Sequence, residues 1–268
     1  MSFHWINPAD ISINCILLMD RRLVGQVCGP WYGEEYSKSL AIVLANHPAV
    51  AWYCKEKAPE TAAYVDALLS SAPQNVPAEE IRTAECFVLD QIDWAVVYVY
   101  PELMEQNCPY IYAWDKARLF ELCDFTGRLV LDVGAGTGRL TFAAAEQARH
   151  VYASEPVDRL REFMREKLRR EDVSNVTVLD GMCDCLPYED STFDVVMSGH
   201  VVGDDYDREL AELERITKPG GWILDCPGED DRWTEPETEM LSHGFECLPY
   251  LSKTGGKVCR YRKRVVKK

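Results

Sequence analysis

The amino-acid sequence predicts a doubly wound α/β domain over its second half, preceded by a mainly helical region. Two observations lead there. Strand-like and helix-like segments alternate at regular spacing from residue 125 onward, and a loop with three glycines separates the first of those strands from the following helix. The residues before it instead show apolar positions at helical spacing, punctuated by prolines.

In the first half, Glu34–Ala45, Pro48–Lys57 and Pro59–Ser70 are expected as helices. The last two open on proline, whose fixed φ and missing N–H suit a first turn. Ala72–Pro77 is a break, and Ala78–Tyr100 starts as a helix whose β-branched and aromatic end, Val96–Tyr100, fits helix or strand. Ala113–Cys123 is expected as a helix leading into the sheet.

Arg128–Val133 is a short apolar run suited to a buried central strand. Leu140–Ala148 follows as a helix, then a strand at His150–Ala153 and a charged helix at Val157–Glu171 with Leu160, Phe163, Met164 and Leu168 as its buried stripe. Further strands are expected at Asn175–Leu179, Phe193–Ser198 and Gly221–Cys226, with a helix at Asp207–Ile216 and Lys218–Gly221 as a structural turn. Pro236–Ser242 is a short helix ended by Gly244. Phe245–Leu251 and Lys257–Val266 then read as two strands joined so closely, through Thr254–Gly255–Gly256, that they must pair antiparallel. The expected architecture is five parallel strands closed by a hairpin, with domains at 1–124 and 125–268.

Bulk properties narrow the function. No apolar run approaches the roughly 18 residues a bilayer span needs, and Ile11–Met19 lacks the basic lead and small-residue cleavage site of a signal peptide. A cytoplasmic protein is expected. Eleven cysteines without a single CxxC read as reduced, mostly buried thiols, and no metal-ligand spacing is present. The net charge is −15; residues 1–125 carry 8 basic and 17 acidic side chains, residues 126–268 carry 21 and 27. Such a balance repels a phosphate backbone, which disfavours nucleic acid as partner. The basic cluster Arg260, Arg262, Lys263, Arg264, Lys267 and Lys268 is expected as the solvated face and tip of the last strand.

The chemistry-bearing segment is Leu131–Gly138, with Gly134, Gly136 and Gly138 at alternate positions after Asp132 and Val133. Glycines there let the backbone turn tightly and approach a ligand. A dinucleotide fingerprint would place its third glycine where Arg139 stands, and no P-loop lysine follows. Glu155, followed by Pro156, falls at the tip of the next strand, where a carboxylate can accept from both hydroxyls of a ribose.

On these residues the chain resembles the class I S-adenosylmethionine-dependent methyltransferases over about residues 125–268, through LDVGAGTG (131–138), Glu155, GMCDCLPYEDSTFDVVMSGHVV (181–202) and ERITKPGGWIL (214–224). The resemblance implies a Rossmann-like sheet and S-adenosylmethionine as cofactor. It places Gly134, Ala135, Gly136 and Gly138 against the methionine part and the sugar, and Ser198, Gly199 and His200 along the cofactor beyond the fourth strand. Asp132 would organise the loop or meet the amino group. Met182 stands where the family commonly has an aspartate for the adenine amino group; Asp184 could substitute, and Cys183 offers its backbone N–H.

The acceptor side is less defined. His200, Asp204 and Asp205 are candidates for a general base or simple loop residues, and Tyr110, Tyr112 and Trp114 for an aromatic cage or plain packing. Cys183 and Cys185 read as packing rather than as a metalloid site. The expected function is methylation of a small molecule under a lid formed by the helical domain, with a dimerisation module as the other role for that domain. A cofactor-binding sensor and a protein methyltransferase are the alternatives.

Overall fold

The computed structural model describes residues 2–229, 235–253 and 255–267. The chain divides into two compact units, Met1–Asn107 and Cys108–Lys268.

The first unit is helical: α1 (Arg21–Val27), α2 (Glu34–Asn46), α3 (Pro48–Lys57), α4 (Ala62–Ser71), α5 (Ala78–Gln91), α6 (Asp93–Val99) and α7 (Pro101–Asn107). At its centre α2 packs on α4 and α5, burying Tyr36, Leu40, Val43 and Leu44. The segment expected as one helix from 78 breaks at Ile92, where the backbone leaves the helical region at φ −112° and ψ 22°. Asp93, just past the break, is fully buried and accepts the backbone N–H of Phe3 at 2.8 Å and of Trp5 at 3.2 Å. The ambiguous Val96–Val99 is helical, and Pro101 then starts a new helix instead of extending this one.

The second unit begins with two single turns, α8 (Pro109–Tyr112) and α9 (Ala117–Phe120), and of the helix expected over 113–123 only α9 forms. Asp115 explains the interruption, since its carboxylate accepts the Ala117 N–H at 2.9 Å and so competes with helix continuation. Leu119, Leu122 and Phe125 join the core of Val130, Leu140, Ala144 and Val151, which ties this stretch to the sheet.

The sheet follows: β1 (Leu129–Val133), α10 (Arg139–Ala145), β2 (His150–Ser154), α11 (Asp158–Arg170), β3 (Val176–Leu179), β4 (Phe193–Ser198), α12 (Tyr206–Ile216) and β5 (Thr217–Asp225). Five strands run parallel in the order β3-β2-β1-β4-β5. Helix α10 covers one face through Leu140, Ala143 and Ala144, and α12 the other through Leu210, Leu213 and Ile216. The expected turn at 218–221 lies inside β5 as an irregularity, because pairing jumps from Phe193 with Thr217 to Val195 with Trp222.

After α13 (Thr238–Ser242) the chain returns as β6 (Glu246–Cys247), β7 (Tyr250–Leu251), β8 (Lys257–Val258) and β9 (Tyr261–Arg264). Antiparallel β9 adds to β5 and β6 adds to β9, as the hairpin reading requires, while β7 and β8 form a separate short ladder. Of the expected turn, Thr254 lies outside the described residues. The basic cluster departs from expectation at Arg260, which is buried rather than solvated. Its guanidinium donates to the Arg118 carbonyl and to Glu121 and stacks 4.7 Å from the Tyr250 ring. Lys268 lies outside the described residues. All eleven cysteines are thiols, and among the described residues no helix is long and apolar enough to cross a membrane.

Candidate functional site

The parallel strands end level with one another: Val133 is the register partner of both Ser154 and Ser198, and Ser198 of Asp225. Strand order reverses between β1 and β4, so a crevice opens beyond these tips, the usual ligand position in such sheets.

The glycine loop lies along that crevice. Gly134, Gly136 and Gly138 have φ of 64°, 59° and 92°, in the left-handed region that side chains resist. The loop curls over the end of β2, with the N–H groups of Gly134 and Ala135 both donating to the Ser154 carbonyl at 2.8 and 3.1 Å. A Cβ on Gly134 would lie 2.4 Å from Val201, whereas one on Gly136 would meet nothing within 4 Å. The space over Gly136 is therefore open, and beside it the Thr137 hydroxyl is buried with no partner among the described residues.

Glu155 stands at the tip of β2 with only 4 % of its surface exposed. Its Oε2 accepts the Gly136 N–H and its Oε1 the Val157 N–H, each at 2.9 Å. These amides fix the carboxylate, whose oxygens can each accept more than one hydrogen bond. Pro156 follows, half-buried. Asp132 points the other way, into the interior under the loop, where Thr141 on α10 donates to it at 2.6 Å. Burial pushes its carboxyl up to about 7, against the opposing Thr141 bond and Arg139 charge. In this arrangement the Asp132 side chain ties β1 to α10.

Across the crevice, Ser198 is buried and Gly199 has no room for a Cβ, which would fall 2.6 Å from the Cys226 carbonyl. Beyond β3, Met182 is 36 % exposed and Cys183 is buried, its thiol pushed up to about 12 by desolvation. Asp184 is held by Arg208 at 3.1 Å, and Cys185 is exposed. An open loop, a fixed carboxylate, an unpartnered hydroxyl and an apolar thioether together fit a nucleoside bearing a small polar tail.

The acceptor-side candidates are less clustered. His200 has φ 64°, donates through Nε2 to the Pro227 carbonyl and lies 4.7 Å from the Tyr110 ring. Asp204 is exposed, Asp205 caps α12 by accepting the Arg208 N–H, and Tyr112 is 60 % exposed. Trp114 stacks on Arg139, at 4.7 Å. Beside His200 is a narrow cavity that also takes in Val202, Tyr206, Asp225, Pro227, Glu237, Met240 and Tyr261. Sequence reasoning missed Asp225, although an acid ending a strand is the same signal that singled out Glu155.

Comparison with known proteins agrees with this geometry. Residues 130–221 match the family described as a methyltransferase domain. Demethylmenaquinone methyltransferase of Lactococcus lactis subsp. lactis is 32 % identical over 154 residues, covering 54 % of this chain and 59 % of the relative. The enzyme of the same name from Thermobifida fusca is 33 % identical over 143 residues, covering 52 % and 60 %. The chain thus spans about three-fifths of the length of these relatives. A Methanococcus maripaludis structure assigned as an S-adenosyl-L-methionine-dependent methyltransferase superposes with a TM-score of 0.51 at 14 % identity, covering 64 % of this chain and 93 % of that one. The fold is shared. The second unit of the chain thus carries a methyltransferase domain at residues 130–221.

Proposed function

We propose that the protein transfers the methyl group of S-adenosylmethionine to a small-molecule acceptor. The observation that carries this is the fixed Glu155 carboxylate beside the open Gly136, at the same sheet edge as Ser198 and Gly199. Glu155 would accept from the ribose hydroxyls, with Pro156 beside it. Gly134, Ala135, Gly136 and Gly138 would leave room for the sugar and the methionine part, Ser198 and Gly199 would close the far wall, and Met182 and Cys183 would border the adenine. When bound, the cofactor supplies a sulfonium methyl that is already electrophilic, so the chain's task is to hold, orient and exclude water.

The names of the relatives make 1,4-naphthohydroquinone a reasoned first acceptor probe. The helical unit is proposed to cover the acceptor, in a cytoplasmic protein whose net charge of −15 turns away nucleic acid. Titration calorimetry is expected to show micromolar binding of S-adenosylhomocysteine, about −8 kcal/mol, and no heat with NAD. An assay for S-adenosylhomocysteine release over a panel of small metabolites and peptides then identifies the acceptor. Tight NAD binding, or release only with peptides, would overturn the proposal.

A further inference from the structure

Among the described residues, the narrow cavity beyond β4 and β5 is lined by charge of one sign: its polar lining is His200, Tyr206, Asp225, Glu237 and Tyr261, two carboxylates with no lysine or arginine. An entering anion meets like charge there, while a hydroxyl or an ammonium group finds acceptors. The location is also specific. Val133, Ser198 and Asp225 lie side by side on β1, β4 and β5, so Asp225 is two strand spacings, roughly 10 Å, from the start of the glycine loop.

The lining is held in place. Ser198 Oγ donates to Asp225 Oδ1 at 3.0 Å, and the Glu237 N–H donates to the Tyr261 hydroxyl at 2.7 Å. His200, clamped between the Pro227 carbonyl and the Tyr110 ring, serves as a wall. We propose that this cavity receives the reacting group of the acceptor, a hydroxyl or an amine, and that Asp225 takes the proton which that group sheds. The proposal rests on the methyltransferase reading. As the acceptor's oxygen or nitrogen forms its bond to the transferred methyl, its O–H or N–H bond breaks and the proton passes to an Asp225 carboxylate oxygen. The sulfur of the donor keeps the electron pair of the broken S–CH3 bond.

The electrostatics suit that role. Burial pushes the Asp225 carboxyl up to about 6, while the Ser198 hydrogen bond and the Arg139 charge pull it down. It is thus ionised at neutral pH yet basic enough to accept a proton. Among the described residues, the titratable and charged groups around it are His200 beyond β4, Tyr206 on α12, Glu237 before α13, Tyr261 on β9, Arg139 on α10, and the thiols of Cys183 and Cys226.

The test uses three probes with one ring system: 1-naphthol, 1-naphthylmethylamine and 1-naphthoate, titrated into the full-length protein saturated with S-adenosylhomocysteine. The naphthol or the amine is expected to bind at least about tenfold more tightly than the naphthoate, and whichever binds tells a hydroxyl site from an amine site. Asp225→Asn and Glu237→Gln should each shrink that preference while leaving S-adenosylhomocysteine affinity unchanged, which also shows that the variants fold. With the bound probe and S-adenosylmethionine, Asp225→Asn should slow product formation about a hundredfold or more and abolish the rise in rate through pH 6. Equal binding of all three probes, binding of none, preference for the naphthoate, or equal rates in wild type and Asp225→Asn would overturn the assignment. Failure of the wild type to bind S-adenosylhomocysteine would instead remove the methyltransferase reading on which it rests.

Discussion

Glu155 Oε2 and the Gly136 N–H are joined at 2.9 Å, so the carboxylate at the tip of β2 and the glycine loop at the tip of β1 form one rigid element. Removing the side chain should cost twice, in ligand contacts and in loop order. Glu155→Ala is expected to weaken S-adenosylhomocysteine binding by about 1.5–3 kcal/mol, with faster amide exchange at Gly136. An unchanged dissociation constant in a folded variant would show that the carboxylate does not hold the ribose.

Two glycines of the loop should behave differently. Gly136→Ala adds a methyl to open space, so its stability loss is confined to the left-handed backbone, about 1–2 kcal/mol, while affinity for S-adenosylhomocysteine falls at least about tenfold. Gly134→Ala drives a methyl into Val201 and should lose a further 1–3 kcal/mol or so from overpacking. Thermal denaturation beside calorimetry separates the two. If Gly136→Ala bound normally, the open space would not belong to the ligand.

Asp132 predicts a pH dependence of stability. Its carboxyl titrates near 7 when folded against roughly 4 when unfolded, so the folded state holds the proton more tightly. That contribution is fully present below about pH 4 and is lost as pH rises through 7. Asp132→Asn stays neutral and can still accept from Thr141. Melting curves of the variant should therefore gain on the wild type between pH 4 and pH 7.5, and parallel curves would refute the linkage.

The role proposed for the helical unit can be read by hydrogen exchange. As a cover, it should show S-adenosylhomocysteine-dependent protection around Trp31, accompanied by Tyr110–Trp114 and the glycine loop. Protection confined to the glycine loop and Glu155 would make the helices an interface between copies of the chain.

What the sequence conveyed and what it withheld follow from the range of the interactions. The five parallel strands and the loop were legible because apolar runs, alternate glycines and Glu155 act locally or at fixed spacing. The break at Ile92 was not, since it accompanies Asp93 receiving the backbone of Phe3 and Trp5, some ninety residues away. Arg260 was misread for the same reason. Its partners lie near residue 120, and alternation along a strand shows a side chain's face without showing what covers that face. Asp225 becomes meaningful only once β9 and the segment before α13 close the cavity around it.

The buried Arg260 also bears on how the chain can be dissected. A fragment begun at residue 125 would lose Arg118 and Glu121 and leave the Arg260 guanidinium without its carbonyl and carboxylate partners. Expression of such a fragment would report on that stranded cation more than on the sheet. Cutting between Asn107 and Cys108 keeps the pair intact and follows the seam between the two compact units.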